Sequence, residues 1–276
     1  MAIRLVALDM DGTILLDDHL TVTPAVRQAI HAAAKKGIQV VPATGRVFSM
    51  LPDVFIQMDE VRYVINSNGA SVRDMREDKV IYQKCISAET AEKILDMLEP
   101  YHLLIQFYCE GNIYTEKRLM KHVDELPFSK EFITEIRKTQ YEVDSLRTFL
   151  QEHPDGIEKC NLAHVPSPLR EELWKAFEAI PQLAVVSSAG SNLELNRRDA
   201  SKGDALRHLC EQLRIAPEEV MAVGDSGNDV EMLRFAGCSV AMGNSTQDAM
   251  EAAKYRTVSN QDDGVAVAIQ KYILEG

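Results

Sequence analysis

Two short, nearly unbroken apolar runs, residues 3–8 and 220–223, each run straight into an acidic, glycine-containing turn. The first turn reads Asp9-Met10-Asp11-Gly12-Thr13 and the second Gly224-Asp225-Ser226-Gly227-Asn228-Asp229. Apolar runs without helical period suit strands buried on both faces of a parallel sheet. After the first run, Thr23 reads as an N-cap and Pro24 as the first helical residue. Val26, Ile30 and Ala33 share one helical face, Gly37 ends the helix, and residues 38–41 form the next strand. That is a βαβ unit, and it recurs near the other end. There, helix 205–213, strand 220–223, helix 229–235, strand 239–242 and a last helix at 265–273 are expected, with a short helical turn at Pro217. The two ends read as halves of one doubly wound α/β sheet.

With 276 residues, the chain has length for roughly two domains or one large α/β unit. Its middle has a different rhythm. Glu110-Gly111-Asn112 marks a hairpin, with helices expected at 88–98, 117–123, 145–151 and 169–179 and strands at 157–163 and 183–187. Residues 84–189 therefore read as an inserted α+β domain, and residues 1–83 with 190–276 as the core. Residues 71–82, a hairpin over 74–78, and 189–191 are the expected hinges. Trp174, with Leu169, Leu173 and Phe177, reads as core of the insert. Pro42 has no N–H for a ladder, so the second strand should end there or turn that position outward.

Thirty Lys and Arg against 42 Asp and Glu leave a net charge of −12, which disfavours binding to phosphate backbones or anionic lipid. No nucleic-acid or membrane partner is expected. An anionic small substrate is still allowed, because a metal and local cations can reverse the field inside one cleft. The five cysteines form no C-x-x-C pair and read as packed thiols of a reducing, cytoplasmic compartment. The seven histidines show no metal-ligand spacing and read as surface or packing residues.

Taken singly, each polar motif has an ordinary reading as a turn or helix cap. Together they change the odds, because Asp9, Asp11, Asp225 and Asp229 all fall at one edge of the expected sheet. Two unit charges about 4 Å apart repel by roughly 4 kcal/mol at an effective dielectric near 20, so something must neutralise them. An oxygen-only donor set suits a hard cation, Mg²⁺ above all. Thr44-Gly45-Arg46 follows the second strand and offers a hydroxyl and backbone N–H groups to a phosphate. Lys202 opens a helix, where a cation opposes the helix dipole unless an anion faces it.

The ordered set Asp9-x-Asp11-Gly12-Thr13, Thr44-Gly45-Arg46, Lys202-Gly203 and Gly224-Asp225-x-x-Asn228-Asp229 resembles the motifs of the haloacid dehalogenase-like hydrolases. The insert, preceded by Asn68-Gly69-Ala70, resembles the class IIB cap of the Cof-type branch, and the likeness spans nearly the whole chain. It implies a Rossmann-like core, an α/β cap and a Mg²⁺-dependent phosphatase forming an aspartyl-phosphate. On this resemblance Asp9 is the nucleophile and a metal ligand. Asp11 is general acid and then base, and binds the metal through its carbonyl. Met10, Thr44, Gly45, Lys202 and Asn228 hold the phosphate, and Asp225 is a further metal ligand. Asp229 orients the metal's water shell, with Arg46 and Ser226 as subsidiary site residues. The expected substrate is a small phosphorylated metabolite, sugar phosphates foremost, and the expected assembly a monomer or homodimer. A phosphomutase using the same intermediate and, from another class, a phospho-acceptor signalling module are the alternatives.

Overall fold

The computed structural model describes residues 2–187 and 191–275. The chain forms two compact units: residues 1–45, 51–82 and 201–276 make up one, and residues 46–50 with 83–200 the other.

The first unit is built on a five-stranded sheet in the order Tyr255–Arg256, Cys238–Ala241, Val220–Gly224, Leu5–Leu8, Gln39–Pro42, with every pair parallel. Strand order reverses between Leu5–Leu8 and its neighbour Val220–Gly224, which makes their carboxyl ends the topological switch point. Leu5 to Leu8 are wholly buried, as a central strand covered on both faces requires. On one face Leu5, Ala7, Val220 and Ala222 join a core cluster with Ala205, Leu206 and Leu209 of the helix Lys202–Leu213. Each Val or Leu buried in this way contributes roughly 1.5–3 kcal/mol. The helix Pro24–Lys35 begins as its sequence indicates, with the Thr23 hydroxyl accepting the Val26 N–H.

Pro42 is the last residue of an edge strand. Gln39 and Ala43 donate to the Leu5–Leu8 side, through Arg4 O and Leu8 O, so the position of Pro42 faces the other way and costs that ladder no hydrogen bond. On that other side Thr44 N donates to Ile65 O at 2.8 Å. Ile65 belongs to a separate three-stranded sheet of Tyr63–Asn66, Ser71–Asp74 and Lys79–Gln83. The expected hinge at 71–82 is thus a hairpin of this sheet, while residues 189 and 190 of the other lie outside the described residues.

The second unit carries a mixed six-stranded sheet, ordered Leu183–Val186, Leu193–Arg197, Lys159–Leu162, Ile105–Cys109, Asn112–Glu116, Gln140–Val143. Only the last pair is parallel. Sequence patterning places residues from 190 onward with the core, but Leu193–Arg197 pairs on both sides within this sheet. The helix Lys130–Lys138 and the strand Gln140–Val143 are additions to the elements expected from sequence, and Lys117–Glu125 is a 3-10 segment. Trp174 is half-buried rather than core, with the Arg170 guanidinium over its ring at 5.2 Å. Arg197 pairs with Asp199 and Arg198 binds backbone carbonyls at 178, 180 and 181, so neither is an unengaged cation.

Among the described residues, no helix is long and apolar enough to cross a membrane.

Candidate active site

The in-register pairing of Leu8 with Val223 sets the two acidic turns side by side at the sheet's carboxyl edge. Asp9 follows the first strand and donates its N–H to Val223 O at 3.0 Å. Gly12 closes the turn with φ of +78°, and a Cβ there would lie 2.5 Å from Asp225 Oδ2. That approach needs glycine for both conformation and space.

Asp9, Asp225 and Asp229 each present a carboxylate oxygen within 4.8 Å of the others. Lys202 Nζ is wholly buried and lies 2.5 Å from Asp9 Oδ1 and 2.7 Å from Asp229 Oδ1. This resolves the unfavourable placement of a lysine at a helix start, since two anions face it. The second oxygen of Asp229 accepts the N–H groups of Asp225 and Ser226 at 3.0 and 3.1 Å. Both of its oxygens are thereby engaged in fixing Lys202 and the turn, a structural task that the expected water-shell role did not include. Thr13, unassigned from sequence, donates its hydroxyl to Asp225 Oδ1 at 3.3 Å.

One ammonium faces three carboxylates, and the imbalance is visible in their proton affinities. Burial pushes the Asp9 carboxyl up to about 7; the Asp229 charge adds to this and Lys202 opposes it. Burial, then the charges of Asp9 and Asp229, raises Asp225 to about 9. Burial alone would lower the Lys202 ammonium, but Asp229 and Asp9 more than reverse it and hold it above the usual lysine value. Asp9 Oδ2 is buried with no hydrogen-bond partner. An orphaned carboxylate oxygen within an oxygen-only, under-neutralised cluster fits a hard divalent cation.

A second wall of the site comes from the loop after Pro42. Asn68 N donates to Thr44 O at 3.0 Å, and Asn228 Nδ2 donates to Asn68 Oδ1 at 3.0 Å. A Cβ on Gly45 would stand 2.8 Å from that same Asn68 oxygen. Thr44, Gly45 and Asn228 are thus brought together through Asn68, a residue to which the sequence motifs assign no role. Ser226 supports the arrangement, its hydroxyl donating to Asn228 Oδ1 at 2.8 Å. The signal for it in the sequence is the Asn-Gly dipeptide. Ser67, Asn68 and Gly69 have φ of 51°, 58° and 90°, a left-handed run that only such a sequence adopts readily. Met10 is buried beside Asp9. Asp11 is part-exposed, with Oδ1 2.8 Å from His19 Nδ1. Arg46, expected beside Thr44, belongs to the second unit, where its guanidinium lies 5.2 Å from the centre of the Phe132 ring.

The family model for haloacid dehalogenase-like hydrolases matches residues 6–269, the span that holds every residue of this cluster. The chain belongs to the haloacid dehalogenase-like hydrolases. It is similar to the phosphatase YwpJ of Bacillus subtilis, at 34% identity over 95% of this chain and 97% of that protein. It is also similar to the 5-amino-6-(5-phospho-D-ribitylamino)uracil phosphatase YcsE of the same organism, 29% identical over 99% of this chain and 96% of the other. A solved haloacid dehalogenase-like hydrolase from B. subtilis superposes with a TM-score of 0.84 at 30% identity, covering 97% of this chain and 99% of that one. The enzyme class expected from sequence stands: a haloacid dehalogenase-type phosphatase, a phosphoric monoester hydrolase acting on small phosphorylated substrates.

Proposed function

We propose that this phosphatase is Mg²⁺-dependent and hydrolyses phosphorylated sugars or closely related phosphorylated polyols through a covalent phospho-Asp9. The observation that carries the reading is the Asp9 carboxylate itself: Oδ1 held by Lys202, Oδ2 buried and without a hydrogen-bond partner, Asp225 alongside. The substrate class draws support from YcsE, whose name describes a phosphorylated ribityl chain. Asp9, Asp225 and the Asp11 carbonyl would hold the ion. When bound, Mg²⁺ supplies charge that keeps the carboxylates ionised and draws the phosphoryl group toward them.

The Asp9 carboxylate attacks phosphorus, an Asp9–phosphorus bond forms through oxygen, and the bond from phosphorus to the ester oxygen breaks. Asp11 gives its proton to the departing alkoxide. It then takes a proton from water, which attacks the phosphorus and releases inorganic phosphate with Asp9 regenerated. Lys202, the Thr44–Gly45 loop, Asn228 and the Met10 N–H orient the phosphoryl oxygens and offset their charge. Asp11 distinguishes hydrolysis from a bare acceptor role, because a second carboxyl is available to activate water; this argues against the signalling alternative. Free phosphate, rather than exchange between two positions of one sugar, separates hydrolysis from mutase chemistry.

Turnover of p-nitrophenyl phosphate with Mg²⁺ should be lost in Asp9→Asn, by several orders of magnitude in kcat. Retention of wild-type turnover in that variant would remove the nucleophile from the scheme.

A further inference from the structure

Asp11 does not stand alone. The chain after Gly12 folds back on itself, with Leu15 bridging both Asp11 and Val22. The loop between is tied at every step: Leu16 N donates to Thr21 O at 3.0 Å, and His19 N to Leu16 O at 2.9 Å. Asp18 Oδ1 accepts the N–H groups of Leu20 and Thr21 at 2.9 and 2.8 Å. At its tip His19 adopts φ of 60°, a left-handed conformation uncommon outside glycine, and places Nδ1 at 2.8 Å from Asp11 Oδ1. A tightly bonded loop with an unusual backbone at the residue that reaches Asp11 is a geometry for aiming a side chain.

We infer that His19 is a positioning residue for Asp11: its imidazole N–H donates to Asp11 Oδ1 and fixes the orientation of the carboxyl that delivers the proton to the leaving group. This rests on the role given to Asp11 above. A general acid works only when the oxygen bearing the proton is within reach of the oxygen that receives it. A carboxyl free to rotate presents the wrong oxygen part of the time; one accepting a fixed donor does not. His19 touches neither phosphate nor leaving group in this scheme and acts through Asp11 alone.

The test exploits leaving-group chemistry. A p-nitrophenolate departs without protonation, whereas an alkoxide needs the acid. Values of kcat/KM report steps up to formation of the phospho-enzyme, and so isolate the acid role from the later base role. Wild type and two variants are compared on p-nitrophenyl phosphate and on an alkyl ester, glycerol phosphate. His19→Gly removes the ring but suits the left-handed backbone, so melting temperature should be little changed. Its kcat/KM on the alkyl ester should fall about tenfold or more, out of the 10²–10⁴ typical of general acid–base catalysis, with the aryl ester nearly unaffected. His19→Asn tolerates the same backbone and keeps an N–H at a similar reach, and should recover most of the loss. Equal losses on both esters, or none on either, would overturn the inference while leaving the phosphatase intact. A wild-type protein that turned over neither ester would instead refute the reading on which the inference rests.

Discussion

Asp9 and Asp225 show how a residue's surroundings decide its chemistry. Either carboxyl in water would ionise near pH 4; here burial and mutual repulsion raise them to about 7 and about 9. A raised carboxyl pKa means that the folded state binds the proton more tightly than the unfolded chain does. Between about pH 4 and 7 for Asp9, and up to about 9 for Asp225, the folded state therefore holds more protons, and stability falls as pH rises through that window. A cation in the cluster reverses the preference by stabilising the ionised forms. The cation-free protein should thus lose urea resistance from about pH 5 to about pH 8, and saturating Mg²⁺ should flatten or invert that slope. Parallel slopes with and without Mg²⁺, followed by circular dichroism, would argue that no ion sits among these carboxylates.

At the scale of elements, the site depends on backbone segments meeting without side chains between them. The Ser67–Gly69 turn reaches the start of the helix Lys202–Leu213 so closely that a Cβ on Gly69 would fall 2.1 Å from Ser201 O. Ser201 caps that helix by accepting the Asp204 N–H at 3.0 Å, and Lys202 is the next residue. Gly69→Ala should therefore push the helix start outward and displace Lys202 from Asp9. The expected cost is at least about 1–3 kcal/mol of stability, with kcat falling further than a loss of substrate binding would explain. Thermal denaturation beside steady-state kinetics checks both; an unperturbed variant would show that this contact is not what sets Lys202. Such close approaches are the part of the site that sequence conveys poorly. Asp9, Asp225 and Lys202 are legible because their residue types are costly to bury without a purpose. The roles of Asn68, Thr13 and His19 are not, because Asn-Gly, Thr and an isolated His are ordinary turn residues, and the partners of Asn68 and Thr13 lie in distant segments.

Across the whole molecule, legibility follows burial. The parallel sheet is readable because its central strands are continuous apolar runs, and the helix Pro24–Lys35 because its cap and first-turn proline agree with its apolar face. The second unit is less readable where its elements are exposed. Gln140–Val143 lies at a sheet edge with its middle residues exposed, and Lys130–Lys138 buries only Phe132 and Ile136, so neither prints a strong pattern. Leu193–Arg197 falls with the core on sequence and with the second unit in the structure, because a strand's sequence reveals its burial but not its pairing partner. The net charge of −12 bounds the partners only from outside, since the local field at Asp9 is set by its buried neighbours Asp229 and Lys202. Whether all of this converges on a single reacting atom can be asked directly. Asp11→Asn, given p-nitrophenyl phosphate and Mg²⁺, keeps a nucleophile and a leaving group that needs no acid, but loses the base for hydrolysis. Acid quenching and peptide mass mapping should find close to one phosphoryl group per chain, on Asp9. No covalent phosphate, or phosphate on another residue, would contradict the account.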